Sequence, residues 1–281
     1  MNVIKKVFSA ITSDRQLIAG VIGILMILFI AFAAPLITSH GPAWYGPDSL
    51  SAPGEDGYFL GTNHLGQDVW TMLVYGTRTS LKVALVSAVI SCSIGVLMGG
   101  VSGYFGGKID RVVSEIINVF MMVPTLFLIL LIVALFGNSI THVMIVIGLT
   151  SWPGNAKLMR AQALSLRERT FVQSVRVMGE SKLKILFRHV IPNGIFPVIS
   201  NTTMGMAHAI LSEASLSFLG LGDPMTVSWG QMINDGKGYI TTAWWVTALP
   251  GIAIVLTVLV FYLTGDGMNH VLNPKHKSKG A

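Results

Sequence analysis

The chain has 281 residues, 52% of them hydrophobic and only 11% charged, with a formal charge of +6 and a mean hydropathy of +0.66. Ordinary soluble domains are about one-quarter charged, so this composition excludes a soluble globular protein and points to a membrane bundle. The length suits one such bundle rather than several domains.

Apolar runs of roughly 20 residues, enough to cross about 30 Å of hydrocarbon, predict six spans in an all-α polytopic membrane protein. After a polar segment 1–16, the first span is 17–37. Ala31, Phe32 and Ala33 imitate a signal-peptidase site, but the run exceeds the roughly 7–15 residues of a signal core, so it reads as an uncleaved helix. Segment 38–78 is the longest loop, and its Gly and Pro residues predict an irregular path. Gly61 and Gly66 suit tight turns, with Asp68 and Arg78 tying the loop down; direct contact with a solute is the other use open to them.

The second span, 83–101, carries Gly95, Gly99 and Gly103 at four-residue intervals, which lets helices approach closely. The single Cys92 within it excludes an intramolecular disulfide. Gly106, Gly107, Asp110 and Arg111 form a short turn into the third span, 116–136. A Gly137-Asn138 turn leads to the fourth, 140–156, and Pro153 begins its exit. The fifth span is 194–221 and the sixth 239–265, with a basic tail at 267–281. Pro124, Pro197 and Pro250 kink or end spans three, five and six.

Basic residues set the topology. With the N-terminus inside, six crossings bring the C-terminus inside, and 16 of the 19 Lys and Arg fall on inner segments. Among them are Lys5, Lys6, Lys275, Lys277 and Lys279. Trp44, Trp70, Trp229, Trp244 and Trp245 fall at outer positions, as interface anchors would. The positive charge is thereby explained as an insertion signature, with no nucleic-acid partner.

Segment 157–193 is the long polar interruption, and Glu168 to Asn193 reads as two short amphipathic helices. Leu164, Phe171, Val175 and Met178 recur at helical spacing in the first. Gly179 suits a left-handed helix end. Ser181 caps the second helix, whose apolar residues are Leu183, Leu186 and Val190, and Pro192 marks its end. Such a pair buries little alone; it rests on headgroups or docks on another protein. In span five, Asn201, His208, Ser212 and Ser215 share one face. Glu213 is the only acidic residue within a predicted span. It is either a functional carboxylate or a structural hydrogen-bond acceptor. His208 lacks neighbours spaced for a metal site. Residues 230–237 fail the phosphate-loop spacing, and no catalytic triad or carboxylate pair emerges.

Three stretches carry a resemblance. Gln173-Ser174-Val175, Gly179 and Ile191-Pro192, flanked by Glu168, Phe171, Arg188, His189 and Asn193, resemble the EAA loop of binding-protein-dependent ABC importer permeases; the triplet itself departs from E-A-A. Residues 60–69 with 75–81, and 213–222, resemble the dipeptide/oligopeptide/nickel branch and its C-type subunit. Asn63 and Gln67 stand where that branch has Asp and Arg. The resemblance implies a MetI-like, type I permease fold, with a type-1 permease core at 79–266 in the inner membrane and no enzyme activity of its own. It assigns ATPase coupling to Glu168, Phe171, Gln173, Val175, Met178, Gly179, Arg188, His189 and Pro192. It also implies a second homologous permease, two ATPase subunits that use ATP and Mg, and an extracytoplasmic solute-binding protein. This chain would bind no cofactor. The alternative class is an ATP-independent secondary transporter or channel; a membrane-embedded enzyme lacks a convergent set of acids, bases or metal ligands.

Overall fold

The computed structural model describes residues 14–272, and every named element among them is helical. Lys5, Lys6, Lys275, Lys277 and Lys279 lie outside the described residues, as does the tail beyond Leu272. Helix α1 (Arg15–Ile37) starts at Asp14, whose carboxylate accepts from the Gln16 and Leu17 amides at 2.8 and 3.0 Å. Helix α2 runs from Val69 to Phe105 and is capped by Asp68, which accepts from the Thr71 amide at 3.0 Å. It therefore begins well before residue 83: Thr77, Arg78, Ser80 and Lys82 interrupt the hydropathy but not the helix. At 1.5 Å per residue α2 is roughly 55 Å long.

The expected third span, 116–136, is two helices, α3 (Gly107–Met122) and α4 (Thr125–Phe136), bent by 76°. Pro124 lacks an amide donor and forces Val123 into extended backbone, which breaks the axis. Helix α5 (Ile140–Arg167) behaves oppositely and continues through Pro153, so no exit occurs there. In the turn before that proline, the Thr150 and Ser151 hydroxyls donate to the Val146 and Ile147 carbonyls at 2.8 and 2.7 Å.

Then come α6 (Thr170–Val177), α7 (Lys182–Ile185), a π turn (Leu186–Val190) and α8 (Ile191–Gly194). Helix α9 is Phe196–Phe218, α10 is Trp229–Gly236 with a 3₁₀ turn at Lys237–Tyr239, and α11 is Trp245–Leu272. Helix α11 does not stop at Gly265-Asp266-Gly267. A Cβ on Gly267 would lie 2.7 Å from Leu17 Cβ, and one on Gly265 would lie 2.6 Å from Met204 Cγ. Those glycines permit close packing instead of ending the helix.

Helices α1, α2 and α11 are long and apolar enough to cross a membrane, and the bent α3–α4 pair makes a fourth if it is one span. Helices α5 and α9 have the length but less apolarity, because Asn155, Lys157, Arg160, Asn201, His208 and Glu213 interrupt them. Each packs one face against other helices of the bundle. The α2–α5 contact is the most extensive in the fold: a Cβ on Gly99 would lie 2.2 Å from the Ala156 carbonyl oxygen, and one on Gly103 2.4 Å from that of Arg160. On such packed faces polar groups can meet each other, as Asn155 and Asn201 do. The outward faces of α1, α4 and α11 instead expose Phe29, Phe32, Phe127, Leu135 and Val255, the apolar skirt of a bundle set in lipid.

Two tryptophans read as interface anchors are core pins. Trp229 and Trp245 are buried, and their indole N–H groups donate to the Leu73 and Thr62 carbonyls at 2.9 and 3.2 Å. Trp244 is exposed.

Candidate functional site

At one end of the bundle the chain from Glu168 to Gly194 makes a projecting knob. Its footing begins where α5 ends. The Arg160 guanidinium grips Asp110 through two bonds, the one to Oδ2 at 2.7 Å, and the Ser102 hydroxyl adds a third. Arg160 holds the Asp110 carboxyl down at about 2. Arg167 pairs with Glu168 at 2.9 Å and donates to the Gly103 carbonyl at 3.3 Å. Gln173 Nε2 donates to the Arg167 carbonyl at 3.0 Å, fastening α6 to the end of α5.

The face of α6 that enters the core is not the expected one. Val172 is fully buried and clusters with Ile185, Leu186 and Val190 against Tyr104, Met159 and Ala163 of α2 and α5. Val175 packs on the edge of that cluster, and Leu164 is half-buried. Phe171 and Met178 point away from the core, together with Val177, Leu183 and Phe187; Val177 is 87% exposed and Met178 76%. A period of 3.6 fits both assignments, and only the packing partners decide between them.

Gly179 has φ +83°, and its amide donates back to the Arg176 carbonyl at 3.1 Å while the Glu180 amide reaches Val175 at 3.4 Å. This is the left-handed helix end glycine favours. Ser181 Oγ accepts from the Lys184 amide at 3.4 Å. Glu180 bridges Lys184 at 2.7 Å and His189 at 2.9 Å, and these partners, Lys184 first, hold its carboxyl below the usual range. His189 is thus an internal brace, whereas the Arg188 guanidinium has no hydrogen bond or ion pair among the described residues. Pro192 does not end the second helix. The π turn precedes it, with the Ile191 amide reaching the Leu186 carbonyl, and the wider register makes room for a residue that cannot donate.

Mid-bundle, the polar face expected on α9 divides. Asn201 Nδ2 donates to Asn155 Oδ1 at 2.9 Å, and Asn155 Nδ2 donates to Ser91 at 2.9 Å, beside a cavity of about 40 Å³. No motif singles out Asn155 in the sequence; the drop in hydropathy along α5 is its one local signal. His208 turns elsewhere and bonds the Tyr262 hydroxyl of α11 at 2.9 Å. Ser215 is exposed and returns its hydroxyl to the Leu211 carbonyl, while Ser212 is half-buried. Glu213 is buried; its Oε1 accepts from the Ser217 and Ser228 hydroxyls at 2.7 Å each, and its Oε2 has no partner among the described residues. Ser228 also caps α10, so Glu213 clasps α10 to α9.

At the other end, loop 38–68 is held by hydrogen bonds within itself. Gly61 and Gly66 have φ of +76° and +75°, and a Cβ on either would lie within 2.4 Å of a backbone carbonyl oxygen. Asn63 Nδ2 donates to Gln67 Oε1 at 2.9 Å, a neutral pair where the resembled branch has Asp and Arg. Arg78 does not tie down the loop; from within α2 it donates to the Ala31 carbonyl of α1 at 2.6 Å. Among the described residues no three His, Cys, Asp or Glu side chains are grouped as a metal ion would need.

Residues 94–278 match the family model described as binding-protein-dependent transport system inner membrane component. The chain is 36% identical over 277 residues to the dipeptide transport system permease protein DppC of Alkalihalophilus pseudofirmus, covering 98% of this chain and 90% of that one. It is 34% identical over 268 residues to the glutathione transport system permease protein GsiD of Pectobacterium atrosepticum, covering 94% and 89%. In structure it is similar to an inward-facing MetNI methionine ABC transporter chain, with a TM-score of 0.58 and 19% identity over 72% of this chain and 96% of that one.

Proposed function

The chain belongs to the family of binding-protein-dependent transport system inner membrane components and is a permease subunit of an ABC importer; from that premise we propose that its cargo is a di- or oligopeptide. The peptide-transport relatives that align over nearly the whole chain support this reading. An importer permease works with an ATPase and a binding protein. In the proposed assembly a second homologous permease completes the pathway. Two separate ATPase chains hold ATP and Mg, this chain binds no cofactor and catalyses no reaction, and both termini face the cytoplasm.

One observation carries the coupling assignment: the knob exposes Phe171, Val177, Met178, Leu183 and Phe187 beyond the reach of the core. Covering apolar surface yields about 25 cal/mol per Å², so these side chains are a docking face for an ATPase. The knob can also transmit. Val172, Ile185, Leu186 and Val190 lock it to α2 and α5, and Gln173 ties it to Arg167. A push on the knob therefore moves the two most tightly packed helices together. Alternating access follows if nucleotide binding by the ATPases and solute release favour different arrangements of that unit. The test is uptake by the four-chain complex with its binding protein in liposomes. Labelled dipeptide should enter only with ATP and be displaced by unlabelled dipeptide. Uptake without nucleotide sinks the coupling, and indifference to peptide sinks the cargo.

A further inference from the structure

Behind the docking face, where α2 and α5 end and α6 and α7 begin, lies a cavity of about 420 Å³ lined by Tyr104, Phe105, Arg167, Glu168, Arg176 and Lys182. Three cations meet one carboxylate there, and that carboxylate is already paired with Arg167. Arg167 commits Nε to Glu168 and one terminal nitrogen to the Gly103 carbonyl, leaving the other uncommitted. Arg176 makes one long bond, 3.4 Å to Gln173, and the Lys182 ammonium has no partner among the described residues. Tyr104 in the wall is only 5% exposed, yet its hydroxyl has no hydrogen-bond partner. A buried hydroxyl left unpaired is costly, and native structures rarely tolerate one without a use for it.

We propose that this cavity binds a phosphate group, and that the group is the headgroup of an anionic membrane lipid. A phosphate offers several acceptor oxygens at once and suits guanidinium, ammonium and hydroxyl donors together. Location favours the lipid. The stretch 83–105 of α2 carries no charged residue, and at 1.5 Å per residue it roughly spans the 30 Å hydrocarbon core. Tyr104 and Phe105 close that stretch, so the cavity lies at headgroup depth, where basic pockets between helices take acidic lipids. An acidic side chain of an ATPase partner is the competing occupant. It is disfavoured because the cavity runs past the exposed Arg176 and Lys182 of the knob to Tyr104 and Phe105 in the last turn of α2, at headgroup depth. A bound headgroup would bridge the bundle, through Tyr104 and Arg167, to the knob, through Arg176 and Lys182. The site does not depend on which solute is carried.

The test uses the assembled importer in phosphatidylcholine nanodiscs with and without phosphatidylglycerol, counting retained lipid by native mass spectrometry. The unaltered complex should retain phosphatidylglycerol in preference. Arg176→Gln with Lys182→Gln should weaken that retention about tenfold or more, the scale of losing one charge-assisted hydrogen bond. Tyr104→Phe should weaken it by a few-fold, and Lys182→Arg should restore it. In a second arm, inorganic phosphate is titrated while amine labelling of Lys182 is followed. Protection by phosphate without any lipid preference would overturn the lipid source. Absence of both effects, or zero-length cross-linking of Lys182 to an ATPase carboxylate, would overturn the site.

Discussion

The two ends of this molecule leave the bundle in opposite ways. Loop 38–68 is long and irregular, yet it closes on itself: Thr62 and Asn63 are buried, Asn63 pairs with Gln67, and the Thr62 carbonyl receives the Trp245 indole. The knob from Glu168 to Gly194 has more regular structure but leaves Phe171, Val177, Met178, Leu183 and Phe187 uncovered. Internal hydrogen bonds and the Trp245 pin make loop 38–68 a scaffold, although it still exposes Tyr45, Phe59 and Leu65. The knob is anchored by the buried Val172, Ile185, Leu186 and Val190 yet holds five large apolar side chains outside the core, and that surplus marks it as built for a partner.

The comparison can be broken most sharply at the knob. Replacing Val177 and Met178 together by Asp should leave insertion and melting of the permease unchanged, since exposed sites tolerate substitution. It should weaken association with the ATPase by at least about 30-fold, the loss of an interface hot spot; co-purification of the ATPase is the readout, and undiminished recovery would remove the docking face. Gly179→Pro comes next. Nothing crowds this position, but φ +83° is closed to proline, so the bundle should melt normally while solute-stimulated ATP turnover disappears.

The scaffold end should respond in stability and not in docking. Gly66→Ala places a Cβ 2.3 Å from the Gly46 carbonyl oxygen at a positive φ, a cost of roughly 2–4 kcal/mol from strain and overpacking, visible as a lower melting temperature in detergent with ATPase binding retained. Smaller again is Asp110→Asn. The Asp110 pKa lies below its ordinary value of 3.8, at about 2, so the ion pair stabilises fully above 3.8 and its contribution is lost as pH falls through about 2. With the Arg160 side chain 35% exposed, screening limits this to on the order of 0.5–1 kcal/mol. The melting difference from Asp110→Asn should stay constant from pH 8 to 5 and narrow toward pH 2. Of the same order, Asn63→Asp with Gln67→Arg should change melting by only about 1 kcal/mol, because at these buried positions the cost of desolvating two charges offsets most of what their ion pair gains.

Composition alone determined that this chain belongs in a membrane, and apolar runs located most of the helices, because hydropathy depends only on which residues neighbour one another along the chain. Gly179 and Ser181 were legible for a similar reason: a left-handed turn and a cap are settled within four residues. Tertiary structure decided the rest. A proline is present at both 124 and 153, yet the axis breaks at Pro124 and runs on through Pro153. Whether Val172 or Phe171 turns inward depends on the Tyr104 and Met159 side chains waiting opposite. The meeting of Asn155 with Asn201, and of Glu213 with Ser228, joins residues far apart in the chain, and no local pattern encodes which distant polar group will satisfy a buried one.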